Sequence, residues 1–193
     1  MPETGDLKKL FMVLLGCRPP GRFTEQHDIF FGIGNSLKEL VPEINASWPE
    51  AKKKIHVDAF REVNSVDGYA IEITERSEAM EVGVDKLFFI NLGGYKAGEF
   101  DEFHYKMLTV AKTQSEAIRL AKQTAFYKHT GFKGAPSHID DKYGIDVDDI
   151  FQVSDILPMV FKERYSIRIV KKEMEEDELF LGYFPLKKVK DEF

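Results

Sequence analysis

The sequence has few of the features that mark a secreted or membrane-spanning protein. Its 193 residues include one cysteine, Cys17, so an intramolecular disulfide is excluded and a reducing cytoplasm is the natural setting. The apolar run at residues 10–15 is far shorter than the ~20 residues that cross a bilayer. The first residues are polar and acidic, unlike a signal peptide. We therefore expect a cytoplasmic protein with no membrane segment.

The common catalytic and nucleotide-binding motifs are also missing. Gly32 and Gly34 lack the third glycine of a dinucleotide fingerprint, and the chain has no P-loop. Neither a Gly-x-Ser-x-Gly elbow nor a His-Glu-x-x-His zinc motif occurs. The carboxylates of residues 140–149 do not have the spacing of a calcium-binding loop. These absences exclude several familiar enzyme classes.

The charge balance argues against nucleic acid as a partner. The chain carries 27 Lys and Arg residues against 33 Asp and Glu residues, a formal charge of −6, and its basic clusters are short. Such a surface repels a phosphate backbone at long range. Hydrophobic residues make up 43% of the chain, which favours a packed core, and the 16 phenylalanines suit well-filled sheet faces.

The feature that is present is an internal duplication. When the sequence is shifted by 77 positions, the motif G-x-F-x-E-x-H recurs whole, together with the apolar run that precedes it. The matched residues of the two motifs are Gly21, Phe23, Glu25 and His27 in the first copy and Gly98, Phe100, Glu102 and His104 in the second. We therefore predict a repeat unit over residues 7–80, a second over 84–170, and an acidic and aromatic C-terminal extension over 171–193.

A second block extends the match after a loop of different length. In this block His56 and Asp58 pair with His138 and Asp140, and the later Val-Asp pair at Asp67 matches the one at Asp148. The loop difference lies near residues 130–136, a Gly- and Pro-rich stretch.

The local patterns predict the same elements in each copy. Two apolar strands form a hairpin, a helix follows, and two further strands complete a ββαββ unit. Ser36 with Glu39 and Thr113 with Glu116 predict capping boxes at the helix starts, and Pro42 predicts a break in the first helix. The predicted fold class is α+β: two tandem pseudo-symmetric units, each with its helix across one face of a mixed sheet as in the β-grasp arrangement, or packed in a ferredoxin-like way.

Four of the five histidines occupy duplicated positions beside carboxylates. Residues two apart on a strand point to one face, so we expect each unit to present Glu, His, His and Asp together. The candidate polar cluster consists of Glu25, His27, His56, Asp58, Glu102, His104, His138 and Asp140. Such sets can hold a divalent zinc, manganese or iron ion, or serve as structural hydrogen-bond networks, which we favour. We interpret Asp67 and Asp148 as turn residues and Cys17 as a small buried thiol.

These motifs resemble a bacterial family catalogued as a domain of unknown function, number 1543. The resemblance is carried by the strand at residues 10–16, by G-x-F-x-E-x-H at 21–27, and by the blocks at 56–69 and 138–151. Members of that family carry one or two copies of the unit, which suits a tandem chain. The resemblance implies no activity, substrate or cofactor.

Three functions therefore stay open at the level of sequence. The first, which we favour, is a non-enzymatic binding or interaction module built from the duplicated unit. The second is a metal-dependent enzyme of hydrolase type that uses the Glu/His/Asp sets. The third is a subunit that forms a homodimer through the added C-terminal strand at residues 165–170 and the aromatic tail.

Overall fold

The computed structural model describes residues 8–76, 84–95, 98, 100–129 and 146–192, which form a mixed α+β protein. In chain order its strands are β1 Lys9–Cys17, β2 Gln26–Gly34, β3 His56–Glu62, β4 Ser65–Val66, β5 Tyr69–Glu75, β6 Lys86–Tyr95, β7 Glu102–Ala111, β8 Asp146–Gln152, β9 Tyr165–Lys171 and β10 Phe180–Pro185. Its helices are α1 Val41–Ser47, α2 Gln114–His129, α3 Val153–Ile156, α4 Met159–Lys162 and α5 Leu186–Glu192.

The chain divides into two compact units, and the division differs from the predicted one. The first unit consists of residues 1–81 together with 156–193, and the second of residues 82–155. The predicted extension at 171–193 and the end of the predicted second repeat at 84–170 therefore pack with the first unit. The physical reason is strand pairing, because β10 pairs with β3 and β9 pairs with β5.

The main sheet of the first unit has the strand order β10-β3-β1-β2. The β1–β2 hairpin that the apolar runs predicted is present, with Val13 opposite Phe30 and Leu15 opposite Asp28. Val13 and Leu15 are buried, and the 3-10 turn Leu37–Leu40 and α1 pack against β2. The core of this unit thus lies between one face of the sheet and the helical segment.

The predicted mixed sheet is wrong. Every strand pair in the described part of the chain is antiparallel, including the pairing of β3 with β1 after the helical crossover. Because β1 lies between β2 and β3, the crossover is a split β–α–β connection, a feature of the ferredoxin-like alternative. The β-grasp arrangement does not describe this unit.

The N-termini of the helices agree only in part with the capping and the helix break predicted from the sequence. Pro42 occupies the first turn of α1, so the predicted break is confirmed as a 3-10 turn that ends at Leu40 and an α-helix that follows. Ser36 makes no side-chain capping bond, whereas the Thr113 hydroxyl accepts from the Glu116 N–H at 3.2 Å.

Neither glutamate of the predicted capping boxes bonds as predicted. Glu39 accepts from the backbone N–H of Asn35 and Glu116 from that of Lys112, each at 3.0 Å. Each carboxylate therefore bonds the residue just before the predicted cap.

The second unit has the strand order β7-β6-β8, and α2 packs against this sheet. Its pairing has the same register as that of the first unit after a shift of 77 residues. Gly16 lies opposite His27 in the first unit, and Gly93 lies opposite His104 in the second. A hydrophobic core forms under this sheet around Ile90, with Ala117 and Ala121 from α2.

The first unit contains a second sheet with the order β4-β5-β9. Asp67 and Gly68 both have positive φ in the turn between β4 and β5, as a type I′ hairpin requires. The turn interpretation of Asp67 is therefore confirmed. Within the described ranges, no helix combines the length and apolarity that a membrane span needs.

Candidate metal centre

The candidate site of the first unit is built around a glycine on the central strand. Gly16 on β1 lies opposite His27 on β2 and opposite His56 on β3, so the two histidines flank it on one face of the sheet. A methyl group on Gly16 would collide with the His56 imidazole and the Asp58 carboxylate. The missing side chain therefore leaves the space in which the neighbouring groups converge.

A β-bulge in β3 brings the Asp58 carboxylate to the same face as the two histidines. On β3 the residue opposite Leu15 is Val57 and the residue opposite Leu14 is Ala59, so Asp58 is an extra residue in the ladder. The bulge lets Asp58 share the open face with His56, while Phe60 returns to the core. Glu25 stands two residues before His27, just ahead of β2.

Four nitrogen–oxygen contacts of 3.2–3.9 Å link four side chains of this unit. We call this set, Glu25, His27, His56 and Asp58, the Gly16 centre. His56 Nε2 lies 3.2 Å from Glu25 Oε1 and 3.3 Å from Asp58 Oδ1. His27 Nε2 lies 3.3 Å from Asp58 Oδ2 and 3.9 Å from Glu25 Oε2. Each imidazole therefore faces both carboxylates through one nitrogen.

Although these nitrogens and oxygens lie close together, two buried atoms among them, His56 Nε2 and Asp58 Oδ2, form no hydrogen bond with the described residues. The His56 side chain is only 7% exposed, and its Nε2 has no hydrogen-bond partner among the described residues. Asp58 Oδ2 is buried and unpartnered in the same way. Buried polar atoms without partners are rare and costly, so a ligand atom or ion that accepts their lone pairs is the natural complement.

The spacing suits a metal ion. Zinc binds imidazole and carboxylate at about 2.0–2.1 Å, so tetrahedral ligand atoms lie about 3.3 Å apart. Three of the four nitrogen–oxygen separations are close to this value, and the two imidazoles face different oxygens of each carboxylate. Two nitrogens and two carboxylate oxygens form a donor set of borderline softness that suits zinc, iron or manganese. The Glu25 and His27 side chains are 48% and 43% exposed, so one side of the centre is open to solvent.

The C-terminal strand borders the centre. The ring centroid of Tyr183 on β10 lies 4.4 Å from that of His56, with the rings tilted by 41°. On the other face of β10, Phe180 stacks on Phe60 with centroids 4.6 Å apart and holds the strand against β3. Patterns in the sequence did not reveal this neighbour, because β10 pairs with β3 across more than a hundred residues.

The second unit places the matching residues differently. His104 Nδ1 lies 3.1 Å from Asp148 Oδ2, and His104 Nε2 lies 3.9 Å from Glu102 Oε2. Asn91, the counterpart of Leu14, brings its Nδ2 to 3.3 Å from His104 Nδ1 and donates to Asp149 at 3.2 Å. We call Asn91, Glu102, His104 and Asp148 the Gly93 cluster. Its carboxylates and imidazole are close enough to hold an ion, but all three are exposed and Asn91 contacts the imidazole.

The register corrects the predicted pairing of the second blocks. Leu92 lies opposite Val147 and Asn91 opposite Asp149, so Asp148 is the bulge residue of β8 and the counterpart of Asp58. The predicted match of Asp148 with Asp67, and its interpretation as a turn residue, are wrong. By the same register the counterpart of His56 is Asp146 and not His138. His138 and Asp140 lie outside the described residues.

Cys17 is completely buried, and its Sγ lies 3.9 Å from the Ala51 carbonyl oxygen. Burial raises the pKa of the thiol, and the negative charge of Glu25 adds to this effect. The thiol is therefore neutral near pH 7 and is a poor nucleophile, as the buried-thiol interpretation requires.

Each unit has an antiparallel sheet against which a helical segment packs, and this arrangement defines the chain as an α+β fold. The family model described as Domain of Unknown Function (DUF1543) matches residues 22–73, a stretch that includes all four residues of the Gly16 centre. The resemblance to this family that the sequence predicted is thus confirmed over residues 22–73.

A crystal structure of protein Il1583 from Idiomarina loihiensis is similar in fold. It aligns over 93% of this chain and 97% of that chain, with a TM-score of 0.63 and 25% sequence identity. None of the curated proteins matches the sequence. The comparisons therefore support the fold and the family and carry no activity.

Proposed function

We propose that this protein binds a divalent transition-metal ion at the Gly16 centre and that the ion is the basis of its function. One observation carries the proposal: the Nε2 atom of buried His56 faces Glu25 and Asp58 without a hydrogen-bond partner in the described structure. A structural network would satisfy that atom, whereas a coordinated ion uses its lone pair. Gly16 supports the same conclusion, because its missing side chain leaves room for the convergence.

The contrast between the two units sharpens the proposal. In the Gly93 cluster the histidine is contacted by Asn91, whose place Leu14 takes in the first unit. The Leu14 side chain has no polar atom, so no amide at this position competes with an ion for the imidazoles of the Gly16 centre. We therefore expect one tightly bound ion per chain.

Metal binding can be tested on the full chain. Protein stripped with a chelator and titrated with Co²⁺ should develop the visible absorption of a Co²⁺ ion with imidazole ligands, and elemental analysis after zinc loading should give one ion per chain. His27→Ala and His56→Ala should each abolish tight binding. His104→Ala is the matched control and should retain the ion. Protein that takes up neither metal, or equal losses in His56→Ala and His104→Ala, would refute the proposal.

A hydrolytic enzyme is the second candidate, and the open side of the centre favours it. A zinc ion held by protein ligands with a free position lowers the pKa of bound water to about 7 and supplies a nucleophile. In this second candidate His27, His56 and Asp58 would hold the ion, and the half-exposed Glu25 would stay at the open side, where a carboxylate can accept a proton from water. Zinc-loaded protein should cleave p-nitrophenyl acetate faster than His56→Ala protein does. Equal rates would exclude this esterase activity.

The interaction module has support from a different feature. Phe23 and Phe100 occupy equivalent positions of the duplicated motif, and both side chains are fully exposed. Burying a phenylalanine in a contact is worth about 1.5–3 kcal/mol, so a matched pair suits an interface, including a homodimer. Light scattering of a Phe23→Ser/Phe100→Ser variant tests this: a fall from dimer to monomer mass would support the homodimer, and a monomeric wild type would refute it.

The pairing registers support a duplication of the unit as the origin of both centres. The shift of 77 residues relates Gly16 to Gly93 in the ladders, and it also relates the Asn35–Glu39 contact to the Lys112–Glu116 contact. Both units carry a bulge at the same place. On this proposal the first unit kept or gained the metal ligands, and the second diverged.

A further inference from the structure

The face of the first unit that carries the metal centre also carries a row of apolar side chains beside it. Leu14 lies two residues from Gly16 on β1, so both belong to one face of the sheet. Ile29 on β2 and Ala59 on β3 lie directly opposite Leu14, and Leu181 on β10 lies opposite Ala59. We call these four residues, Ile29, Leu14, Ala59 and Leu181, the apolar row.

The apolar row is accessible from solvent. Leu14, Ile29 and Ala59 are half-buried, and Leu181 is 71% exposed. Tyr183 is 66% exposed while its ring lies against His56, so the row and the centre are joined at β10. Four strands about 4.8 Å apart give the row a length of about 14 Å, and a two-residue step sets it about 7 Å from the metal ligands.

The second unit has polar residues at the same positions. Asn91 takes the place of Leu14, and it lies opposite Lys106 on β7 and Asp149 on β8. The described residues of that unit contribute no counterpart of β10, because its sheet has the order β7-β6-β8. Among the described residues, this apolar strip is therefore confined to the unit in which His56 Nε2 lacks a hydrogen-bond partner.

We infer that the apolar row is the substrate-binding surface of the Gly16 centre and that the substrate joins an oxygen donor to an apolar or aromatic group. This inference rests on the proposed metal binding. The oxygen donor binds the ion on its open side, and the apolar group lies along Leu14, Ala59 and Leu181 beneath Tyr183. The row and the ligands are successive positions on one face of the sheet, and this adjacency sets the order.

A pair of hydroxamates tests the inference on Co²⁺-loaded full-length protein. Acetohydroxamate offers only the metal-binding group, whereas phenylacetohydroxamate adds an aromatic ring at the reach of the row. We expect the phenyl compound to bind about tenfold more tightly, as burial of the ring predicts. Leu181→Ser should reduce that preference to about threefold or less. Leu179→Ser, which removes another exposed leucine just before β10, should leave that preference unchanged.

The outcomes separate the two proposals. Failure of Co²⁺ to bind overturns the metal centre, and the apolar substrate with it. A normal Co²⁺ spectrum with equal affinity for both hydroxamates overturns the apolar substrate alone. The apolar substrate is likewise overturned if Leu181→Ser keeps the full preference while circular dichroism shows a folded protein.

Discussion

Gly16 lies directly opposite His56 in the β1–β3 ladder, and any side chain at Gly16 would occupy the space into which the His56 imidazole points. The first prediction follows from this pair. Gly16→Ala should weaken Co²⁺ binding at least tenfold, because an added methyl group must push His56 or Asp58 out of position, at a cost of about 1–3 kcal/mol. Titration of the Co²⁺ absorption measures the loss.

Gly93→Ala is the matched control for Gly16→Ala. A methyl group there would collide with Asp148, so the strain is similar but falls on the Gly93 cluster. We expect Gly93→Ala to lower the thermal stability of the protein and to leave the tight ion in place. Unchanged Co²⁺ affinity in Gly16→Ala would contradict the role assigned to the glycine.

The Leu14→Asn substitution gives the first unit the asparagine that the second unit has at the equivalent position, Asn91. Asn91 brings an amide to 3.3 Å from His104, and an asparagine at position 14 should reach the imidazoles of the Gly16 centre in the same way. We expect the Co²⁺ affinity to fall about tenfold, because the amide competes with the ion for the nitrogen lone pairs. The exchange in the other direction, Asn91→Leu, should leave that affinity unaltered. Equal affinity in Leu14→Asn and wild type would show that the amide does not decide the difference.

Glu39 should give stability that depends on pH. Its pKa is lowered from the ordinary value of 4.5, first by the Asn35 backbone N–H and also by contact with Lys8. A lowered pKa stabilises the folded state above pH 4.5, and this stabilisation is lost as the pH falls through the folded-state pKa. Glu39→Gln should therefore be less stable than wild type at pH 7, by up to about 1 kcal/mol because the carboxylate is half-exposed.

Urea unfolding at pH 7 and at pH 3 measures the Glu39 effect. The difference between wild type and Glu39→Gln should shrink at the lower pH. Glu50→Gln, an exposed acidic position in the turn after α1, serves as the control and should show no such difference. A gap between wild type and Glu39→Gln that stays constant with pH would count against the carboxylate.

Asp177 anchors the segment that leads to β10. Its carboxylate accepts from the backbone N–H groups of Asn64 and Ser65 at 3.0 and 3.1 Å, and its side chain is only 2% exposed. Asp177→Ala should lower the free energy of unfolding by about 1–3 kcal/mol, since two partly buried donors lose their acceptor. Asp177→Asn keeps an oxygen acceptor and should cost less. Equal losses in the two variants would argue against the hydrogen bonds.

The contribution of Asp177 to the stability of the protein should change with pH in the opposite direction to that of Glu39. Burial raises the pKa of Asp177 above its ordinary value of 3.8, which outweighs the lowering by Asn64 and Arg61. The folded state therefore binds the proton first, so this group adds stability as the pH falls through the folded pKa toward 3.8. Relative to Asp177→Asn, the wild type should gain stability on acidification, which urea unfolding at stepped pH will measure.

Much of the first unit could be predicted from local pattern. The apolar run ending at Leu15 predicts β1, and residues two apart predict that Glu25 and His27 share a face, since both rules depend on near neighbours. Gly16 was harder to interpret: it looked like the end of a strand, whereas β1 continues to Cys17 and the glycine leaves space for ligands.

The rest of the site depends on pairings that local pattern does not encode. Asp58 is a bulge residue only because of the way β3 pairs with β1, and the sequence alone does not show this pairing. Alignment of the two copies by residue type therefore matches Asp148 with Asp67, whereas the strand pairing matches it with Asp58. The contact of Tyr183 with His56 needs β10 to find β3 across more than a hundred residues. Such distant pairings are decided by the whole core and have no signature in a short window.

The pairing of Phe180 with Phe60 also has a consequence for the order of events during synthesis. The ribosome makes β3 early, and β10 emerges only after the second unit has been made. At about 5–20 residues per second, the first sheet waits roughly 5–25 s for its edge strand. During that interval His56 has no Tyr183 beside it, so under the proposed function its imidazole is open to a metal ion before β10 is in place.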